Sequence, residues 1–545
     1  MADSRLLWAA RGGATQSLQE LLTAGECNIN VQDWNGWTPL QEAARGGHTQ
    51  CVQLLLQQGV DTNIQAENGW TPLHQAARGG QTQCVQLLLQ HGADTNIQSE
   101  NGWRPLHCAA RGGHTQCVQL LLQHGADTNI QAKNGWTPLL VAAKGGHTEC
   151  VQLLLQHGAD TNIQDKNGWT SLHCAAECGD TQCIQLLLQH GADTSIQAKC
   201  GCTPLYLAAK GGHTQCVQLL LQHGADTNIQ AKYGRTPLHW AALLGHTQCV
   251  QLLLQHGADT NIQAKKGLTP LHWAALLGHT QCVQLLLQHG ANTSIKTKDG
   301  WTSLHLAAYK GHTQCVQLLL QHGADTNIQT EHGLTPLHVA ALTYHCVELL
   351  LQHGADASIQ TKDGWTPLHV AARFGYTQSV QLLLQHGADS SIQNKEGKTP
   401  RMLAKGKEHA TVTELLRRFE IPDIQGYAQT RTLEHLAELL DPAEYTIINQ
   451  TNLSTNFPDV FQFQKVQELK NWADKNNCTK IRDLKDRLQD SNLPRLSSAA
   501  VDYYAEVVKN ISDMPPDDFE ELCRTLITAR HMCITCSATT NQQEI

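Results

Sequence analysis

Thirty histidines and twenty cysteines in 545 residues are enough to build zinc sites, thiol nucleophiles or a disulfide framework. Their spacing decides among these. Twenty-six of the histidines fall at three recurring places: after a Thr-Pro-Leu triplet (His74, His107), ahead of a helix-starting threonine (His48, His114), and ahead of a glycine that ends a helix (His91, His124). A zinc ion needs three or four ligands converging on one point, and single histidines repeated along a chain do not converge. They read as hydrogen bonders holding fingers and turns together. Ten cysteines, at 51, 84, 117, 150, 183, 216, 249, 282, 315 and 346, share one place before a Gln-Leu-Leu-Leu run. Packed helices lie about 8–10 Å apart, whereas a disulfide needs Cα atoms within roughly 7 Å. The ladder therefore reads as small buried side chains in a reducing compartment. Cys178, Cys200 and Cys202 break the pattern and are expected near one another across adjacent units, as a thiol or metal site that lacks a fourth ligand. No phosphate-binding glycine loop, HExxH helix or GxSxG elbow is present. The expectation is a protein that is not an enzyme and carries no cofactor or metal.

Tryptophan and the basic residues form the other chemical pattern. Directly after a recurring glycine stand Trp37, Trp70, Trp103, Trp136, Trp169, Trp301 and Trp365, and eight residues further on stand Arg45, Arg78, Arg111 and Lys144. Tryptophan beside arginine or lysine in four consecutive copies suits an extended ligand that is partly apolar and partly acidic. A second zone, Trp240, Leu243, Leu244, Trp273, Leu276 and Leu277, is expected to form an apolar patch for a partner. Copies this similar also fit inheritance by duplication, with each ring lying against its own finger.

The elements that position these residues follow from the period. Glycines at 36, 69, 102, 135, 168, 201, 234, 267, 300 and 333 are 33 residues apart. In TPLHQAARGG, Thr71 caps a helix, Pro72 fits its first turn, and Leu73, Ala76 and Ala77 form a narrow apolar face that Gly79 and Gly80 end. In TQCVQLLLQHG, Thr82 is expected as the cap of a second helix. Cys84, Val85, Leu87, Leu88 and Leu89 give it a wide apolar face, and Gly92 stops it in the left-handed conformation. The segment DTNIQAENG is an extended finger. Small first-helix residues against bulky second-helix residues predict a stack curved with the first helices inside. A 33-residue period carrying T-P-L-H-x-A, seen as TPLHQA at 71, TPLHWA at 236 and TPLHVA at 366, resembles the ankyrin repeat. The resemblance covers about residues 4–419. It implies an all-α-dominated solenoid of helix-turn-helix units with finger hairpins, and partners gripped by the finger tips and first helices.

The pattern predicts thirteen units: a capping repeat at 1–34, repeats over 35–396 and a charged capping repeat at 397–419. Gly364 follows Gly333 at a spacing of only 31 residues, because ALTYHCVELL lacks two residues of the interhelical turn. A local change in curvature is expected near Leu342 to Cys346.

Beyond 419 the period stops. Residues 420–430 read as a linker, 431–531 as a small α-helical domain and 532–545 as a flexible tail. Asp and Glu outnumber Lys and Arg by 20 to 12 over 420–545, against 28 to 27 over 1–419, so the end of the chain carries most of the net charge of −9. A helix ending in Trp472, a polar turn with Thr479 and the helix IRDLKDRLQDSNL resemble the later half of a death-fold domain, although that domain's first helix and earlier tryptophan are missing. The resemblance implies homotypic assembly through opposed charges, Lys480, Arg482, Lys485 and Arg487 against Asp517, Asp518, Glu520 and Glu521. An unrelated bundle and a ubiquitin-ligase recruitment box, suggested by FEELCRTLI at 519–527, stay open beside it.

The composition carries no basic field for nucleic acid and no apolar run long enough to span a bilayer. The start MADSRLLWAARGG lacks a secretory signal pattern, so a cytoplasmic location is expected. The reading is an interaction scaffold with a protein ligand on its concave face and a C-terminal module for signalling assembly. A ubiquitin-ligase substrate adaptor and an elastic spacer are the alternatives.

Overall fold

A computed structural model of the chain describes residues 2–419. The expected linker, helical domain and tail, with the charged residues assigned to homotypic contact, lie outside the described residues. Among the described residues there are twenty-six α-helices, in thirteen antiparallel pairs, and no β-strand. The described residues divide into two compact units, residues 2–325 and residues 326–419.

The second repeated pair of the first unit shows why these residues fold as they do. Thr71 is extended, with φ −98° and ψ 168°, and its side chain accepts from the His74 N–H. The His74 ring returns the bond, Nδ1 accepting from the Thr71 N–H at 3.2 Å. This is a capping box with histidine where glutamate or glutamine is usual. Pro72 takes the first helical position, where a missing N–H costs nothing. The helix Pro72–Gly79 buries Leu73, His74, Gln75, Ala76 and Ala77. Gly80 stops it at φ +68°, and a Cβ there would stand 2.5 Å from the His114 ring, so neither the dihedral nor the space admits another residue. The second helix, Thr82–Gln90, buries Cys84, Val85, Leu88 and Leu89. Leu87 stays half-exposed.

Thr82 is not the cap that its type suggests. Gln81 occupies that place without a side-chain bond, and Thr82, one residue inside the helix, turns its Oγ1 to the Cys117 thiol of the next repeat at 3.7 Å. The contact recurs as Thr15–Cys51, Thr148–Cys183, Thr181–Cys216 and Thr247–Cys282, at 3.6–3.7 Å. The ladder cysteines thus stitch neighbouring second helices by hydroxyl–thiol contacts, and all remain free thiols. Burial pushes Cys84 and Cys117 above the usual thiol range, and Cys183 to about 12, which keeps them protonated and chemically quiet.

The fingers are tight turns without hairpin strands. Ser99 N–H donates to the Trp103 carbonyl at 2.8 Å, and each finger leans on its neighbour through one backbone bond, Glu100 N–H to Asn68 O at 3.0 Å. Within the first unit, adjacent first helices pack more closely than adjacent second helices, because paired alanines such as Ala76 and Ala77 let backbones approach where leucines hold them apart. The first helices therefore line the inner side of that unit.

In the second unit the short repeat shows where its two residues were lost. Its first helix, Pro336–Ala340, has five residues instead of the usual eight. Ala341 continues in right-handed geometry where the full-length repeats, such as the one ending at Gly80, have a left-handed glycine, and the next helix begins at Tyr344. The deletion removes the last turn of the first helix rather than shortening the connection alone. Pro336–Ala340 accordingly makes less contact with the first helix after it than the two second helices make with each other.

Candidate functional site

Each tryptophan of the column follows a left-handed finger glycine, such as Gly69 at φ +76°; at Trp70 and Trp103 this turn aims the ring along its own first helix, whereas Trp136 Nε1 donates to Asp165 of the next finger at 3.2 Å. The Trp70 ring lies 5.7 Å from His74, one turn on, and the Arg78 guanidinium lies 5.4 Å over the indole. Trp37–Arg45 and Trp103–Arg111 repeat this stack at 5.1 and 5.4 Å. The three tryptophans are half-buried and the three arginines exposed. Each indole is therefore a platform for a cation on the helix rather than packing for its finger.

Histidines of the neighbouring repeats hold both columns in register. His74 Nε2 donates to the Trp103 carbonyl at 3.1 Å, and His107 Nε2 does so to the Trp136 carbonyl at 3.0 Å. From the other side, His114 and His147 donate to the carbonyls of Arg78 and Arg111, both at 3.0 Å. A carbonyl can only accept, so Nε2 of these buried histidines carries the proton while Nδ1 accepts from the backbone N–H of the capping residue, Thr71 for His74 and Arg104 for His107. These rings are neutral. Burial drives His74 and His107 down to about 4, opposed by the carbonyl bond.

Along these stacks lie three clefts, of which the first differs in charge from the other two. The first, about 370 Å³, is lined by Trp37, Arg45 and Asn68 together with the carboxylates of Asp33, Glu42 and Glu67. The next, about 530 Å³, holds Trp70, Arg78, Asn101, Trp103 and Arg111. The third, about 470 Å³, holds Trp103, Arg111, Asn134, Trp136 and Lys144. Arg45, Arg78 and Arg111 form no ion pair with a carboxylate among the described residues. Three guanidiniums, each with one face on an indole, thus present their N–H edges to the clefts.

The fourth expected pair does not form. Lys144 passes over Trp169 of the next repeat at 5.7 Å and is paired with Glu177, because lysine has a point charge that follows the nearest carboxylate where arginine's flat group stays on its ring. The second zone is not purely apolar either. Arg235, standing where other repeats have tryptophan, lies over Trp240 at 4.8 Å and Trp273 at 5.2 Å, and Lys210 lies over Trp240 at 5.1 Å. Leu243 and Leu276 are half-buried beside the more exposed Leu244 and Leu277. Trp301 meets Tyr309 edge-on at 5.9 Å, and Trp365, in the second unit, carries Arg373 at 5.1 Å.

The off-pattern cysteines are not one site. Cys178 donates to the Lys144 carbonyl at 3.4 Å, toward the preceding repeat. Cys202, half-buried, is pushed up to about 12 by burial and by Cys200 beside it. Among the described residues no three His, Cys, Asp or Glu side chains are placed to hold a metal ion, and no helix is long and apolar enough to cross a membrane.

Sequence reasoning passed over two features. Asn68, Asn101 and Asn134, each just before a finger glycine, share the 33-residue spacing and could have been read as a third column. Trp8 and Trp34, 69% and 85% exposed, belong to the first two repeats and stand outside the column of tryptophans that follow the finger glycines.

The family model for ankyrin repeats matches overlapping segments that run from residue 6 to residue 394, among them 6–99, 106–198, 189–264 and 323–394. The chain is 45% identical over 56 residues to the 26S proteasome non-ATPase regulatory subunit 10 of Dictyostelium discoideum, covering 10% of this chain and 24% of that protein. It is 41% identical over 56 residues to the ankyrin repeat domain-containing protein 29 of Danio rerio, covering 10% and 19%, and to protein 49 of that designation in Homo sapiens, covering 10% and 23%. The matches thus span less than a quarter of these relatives and less than two repeats. What is shared is the repeat framework.

Proposed function

The chain belongs to the ankyrin-repeat family, and from that premise we propose that it is a scaffold whose inner face, over residues 37–144, holds a protein ligand. Ankyrin repeats in general mediate protein–protein contact. The observation that carries the reading here is the row of three Trp–Arg stacks, Trp37–Arg45, Trp70–Arg78 and Trp103–Arg111, with unpaired donors facing consecutive clefts. Tryptophan and arginine are the residues most enriched where interfaces concentrate their binding energy. A stack on rigid helices loses little side-chain entropy when a ligand arrives. Trp240 and Trp273 with their leucines, and Trp301, extend the candidate face within the first unit with less open donor capacity, and Trp365 is a separate candidate contact in the second unit.

A photo-crosslinking residue in place of Asn101, in cells, tests the reading. Protein adducts should appear with the otherwise unaltered chain and fall at least about tenfold when Trp70→Ala is added. An unchanged adduct pattern overturns it. The buried, protonated thiols fit a reducing compartment such as the cytoplasm.

For residues 431–531 we propose homotypic assembly through Lys480, Arg482, Lys485 and Arg487 against Asp517, Asp518, Glu520 and Glu521. The support is the segregation of opposite charges in sequence. Light scattering of the full chain should show self-association that weakens with salt and is lost in a Lys480→Glu, Arg482→Glu variant; a salt-independent monomer overturns the proposal.

A further inference from the structure

At its N-terminal end the inner face changes sign. A cleft of about 400 Å³ between the first two repeats is lined by Trp8, Trp34, Asp3, Asp33, Glu42 and Arg11 among others. The adjoining cleft at Arg45 shares Trp34, Asp33, Glu42 and Arg11 and adds Glu67. Across the pair four carboxylates face two cations. Asp33 is already engaged, accepting from the N–H groups of Asn35 and Trp37, both at 2.8 Å, and Asp3 accepts from the Asn28 N–H at 2.9 Å.

Glu42 is the open group. It is 6% exposed and stands where the next repeat has the equally buried Gln75. Among the described residues its carboxylate accepts no hydrogen bond, and its ion-pair partner Arg11 holds Nε 3.8 Å away, beyond hydrogen-bond reach. Burial pushes the carboxyl above its usual range, further than Arg11 and Arg45 draw it down. A buried charge without hydrogen bonds is costly, and a donor entering the cleft relieves it. The indoles beside it are open as well. Trp8 carries the Arg11 guanidinium at 5.6 Å, whereas Trp34, 85% exposed, carries no cation among the described residues. Arg11 shows the pose that this cleft accepts, a guanidinium on one indole and toward Glu42, with the second indole unused.

The occupant must be a cation to balance the charge and must carry N–H groups, since a quaternary ammonium cannot donate to a carboxylate. A guanidinium does both, stacking flat on an indole while its edge donates to the carboxylate. We propose that this cleft receives an arginine side chain of a protein partner, its guanidinium on Trp34 and its N–H edge on Glu42. That the arginine belongs to the ligand of the Trp–Arg stacks rests on the proposed function above; the cleft itself does not.

The probe is a pentapeptide with one central arginine among glycines, capped at both ends, titrated into the full chain by calorimetry beside its citrulline and lysine versions. The arginine peptide should bind with a Kd of about 1 mM and weaken with salt. Citrulline, of the same shape without the charge, should bind at least about tenfold more weakly, and lysine about threefold. Glu42→Gln gives the position its neighbour's side chain, so the fold is kept, and should lose about tenfold. Trp34→Ala, at an exposed ring, should lose about threefold with an unchanged melting temperature. Arg11→Ala removes the resident cation and should tighten binding about threefold. Equal affinity for arginine and citrulline, no binding below about 20 mM, or binding that Glu42→Gln leaves unchanged overturns the inference. The Asn101 adducts report separately on the protein-binding reading. Trp70-dependent adducts beside an arginine response that ignores Glu42 sink this inference alone; the reverse pattern supports the cleft and sinks the reading.

Discussion

The stretch 37–111 and the stretch 210–277 are built on the same helices, yet they treat their cations in opposite ways. In the first, each repeat supplies its own arginine to its own indole, and the guanidinium edge faces a cleft. In the second, leucines 243 and 276 occupy the arginine position, and a single Arg235 is shared between Trp240 and Trp273. The Trp273 Nε1 is buried there without a hydrogen-bond partner. One column therefore keeps its donors for a ligand, and the other spends its cation on internal packing. The difference rests on a few side chains over an unchanged backbone, which is how a repeat array specialises one part of its surface while its nearest-neighbour stability stays uniform.

The largest effect should come from what both regions share, and it breaks the comparison if the regions respond differently. His74, His107, His239 and His272 are held near 4 against an ordinary 6.5. The folded state binds fewer protons than the unfolded chain between these values. Stability is thus fully present above about pH 6.5, falls as the pH drops through the window, and levels off below about 4. Each ring should cost about 2 kcal/mol at pH 5, so melting temperature measured from pH 7.5 to 4 should collapse cooperatively. A flat profile would mean that the neutral-imidazole register does not exist.

A sharper contrast concerns the cations. Arg235→Ala removes a group shared by two indoles and should cost about 1–2 kcal/mol in urea unfolding, whereas Arg78→Ala, exposed on one indole, should cost about 0.5–1 kcal/mol or less. Equal costs would erase the distinction between a spent and an open cation.

The smallest effect tests the framework beneath the ligand stripe. Arg104 stands where the other repeats have the capping threonine, and its side chain caps nothing; Nε reaches the Asn96 carbonyl at 2.7 Å while Nη1 is buried without a partner. Arg104→Thr should raise stability by about 1 kcal/mol and leave the stripe intact. A loss of stability would show that Arg104 is held by something other than its repeat.

Much of this was legible before any coordinates. The 33-residue glycine spacing, the TPLH cap and the Cys-Val-x-Leu-Leu-Leu run are local patterns, and local patterns set helix starts, stops and buried faces. The sign of the thiol argument also came from spacing alone. What spacing did not carry was partnership across repeats. Nothing in TPLH says that the histidine's far nitrogen reaches the next repeat's Trp carbonyl, or that a second histidine reaches back to the Arg carbonyl. Thr82 was misplaced as a cap because threonine at a helix start most often is one; that its hydroxyl meets Cys117 is decided by the packing of two helices.

By itself, then, the sequence determined the repeat, its helices, its buried faces and the residue types at each variable position, since these depend on period, propensity and the size of side chains. Tertiary structure alone decided which cations stay free. Lys144 and Arg11 are in the same column as Arg45, Arg78 and Arg111, and only the stacking of the next repeat brings Glu177 and Glu42 against them. Charge pairing depends on distance between repeats, and that distance is a property of the packed array rather than of any one copy.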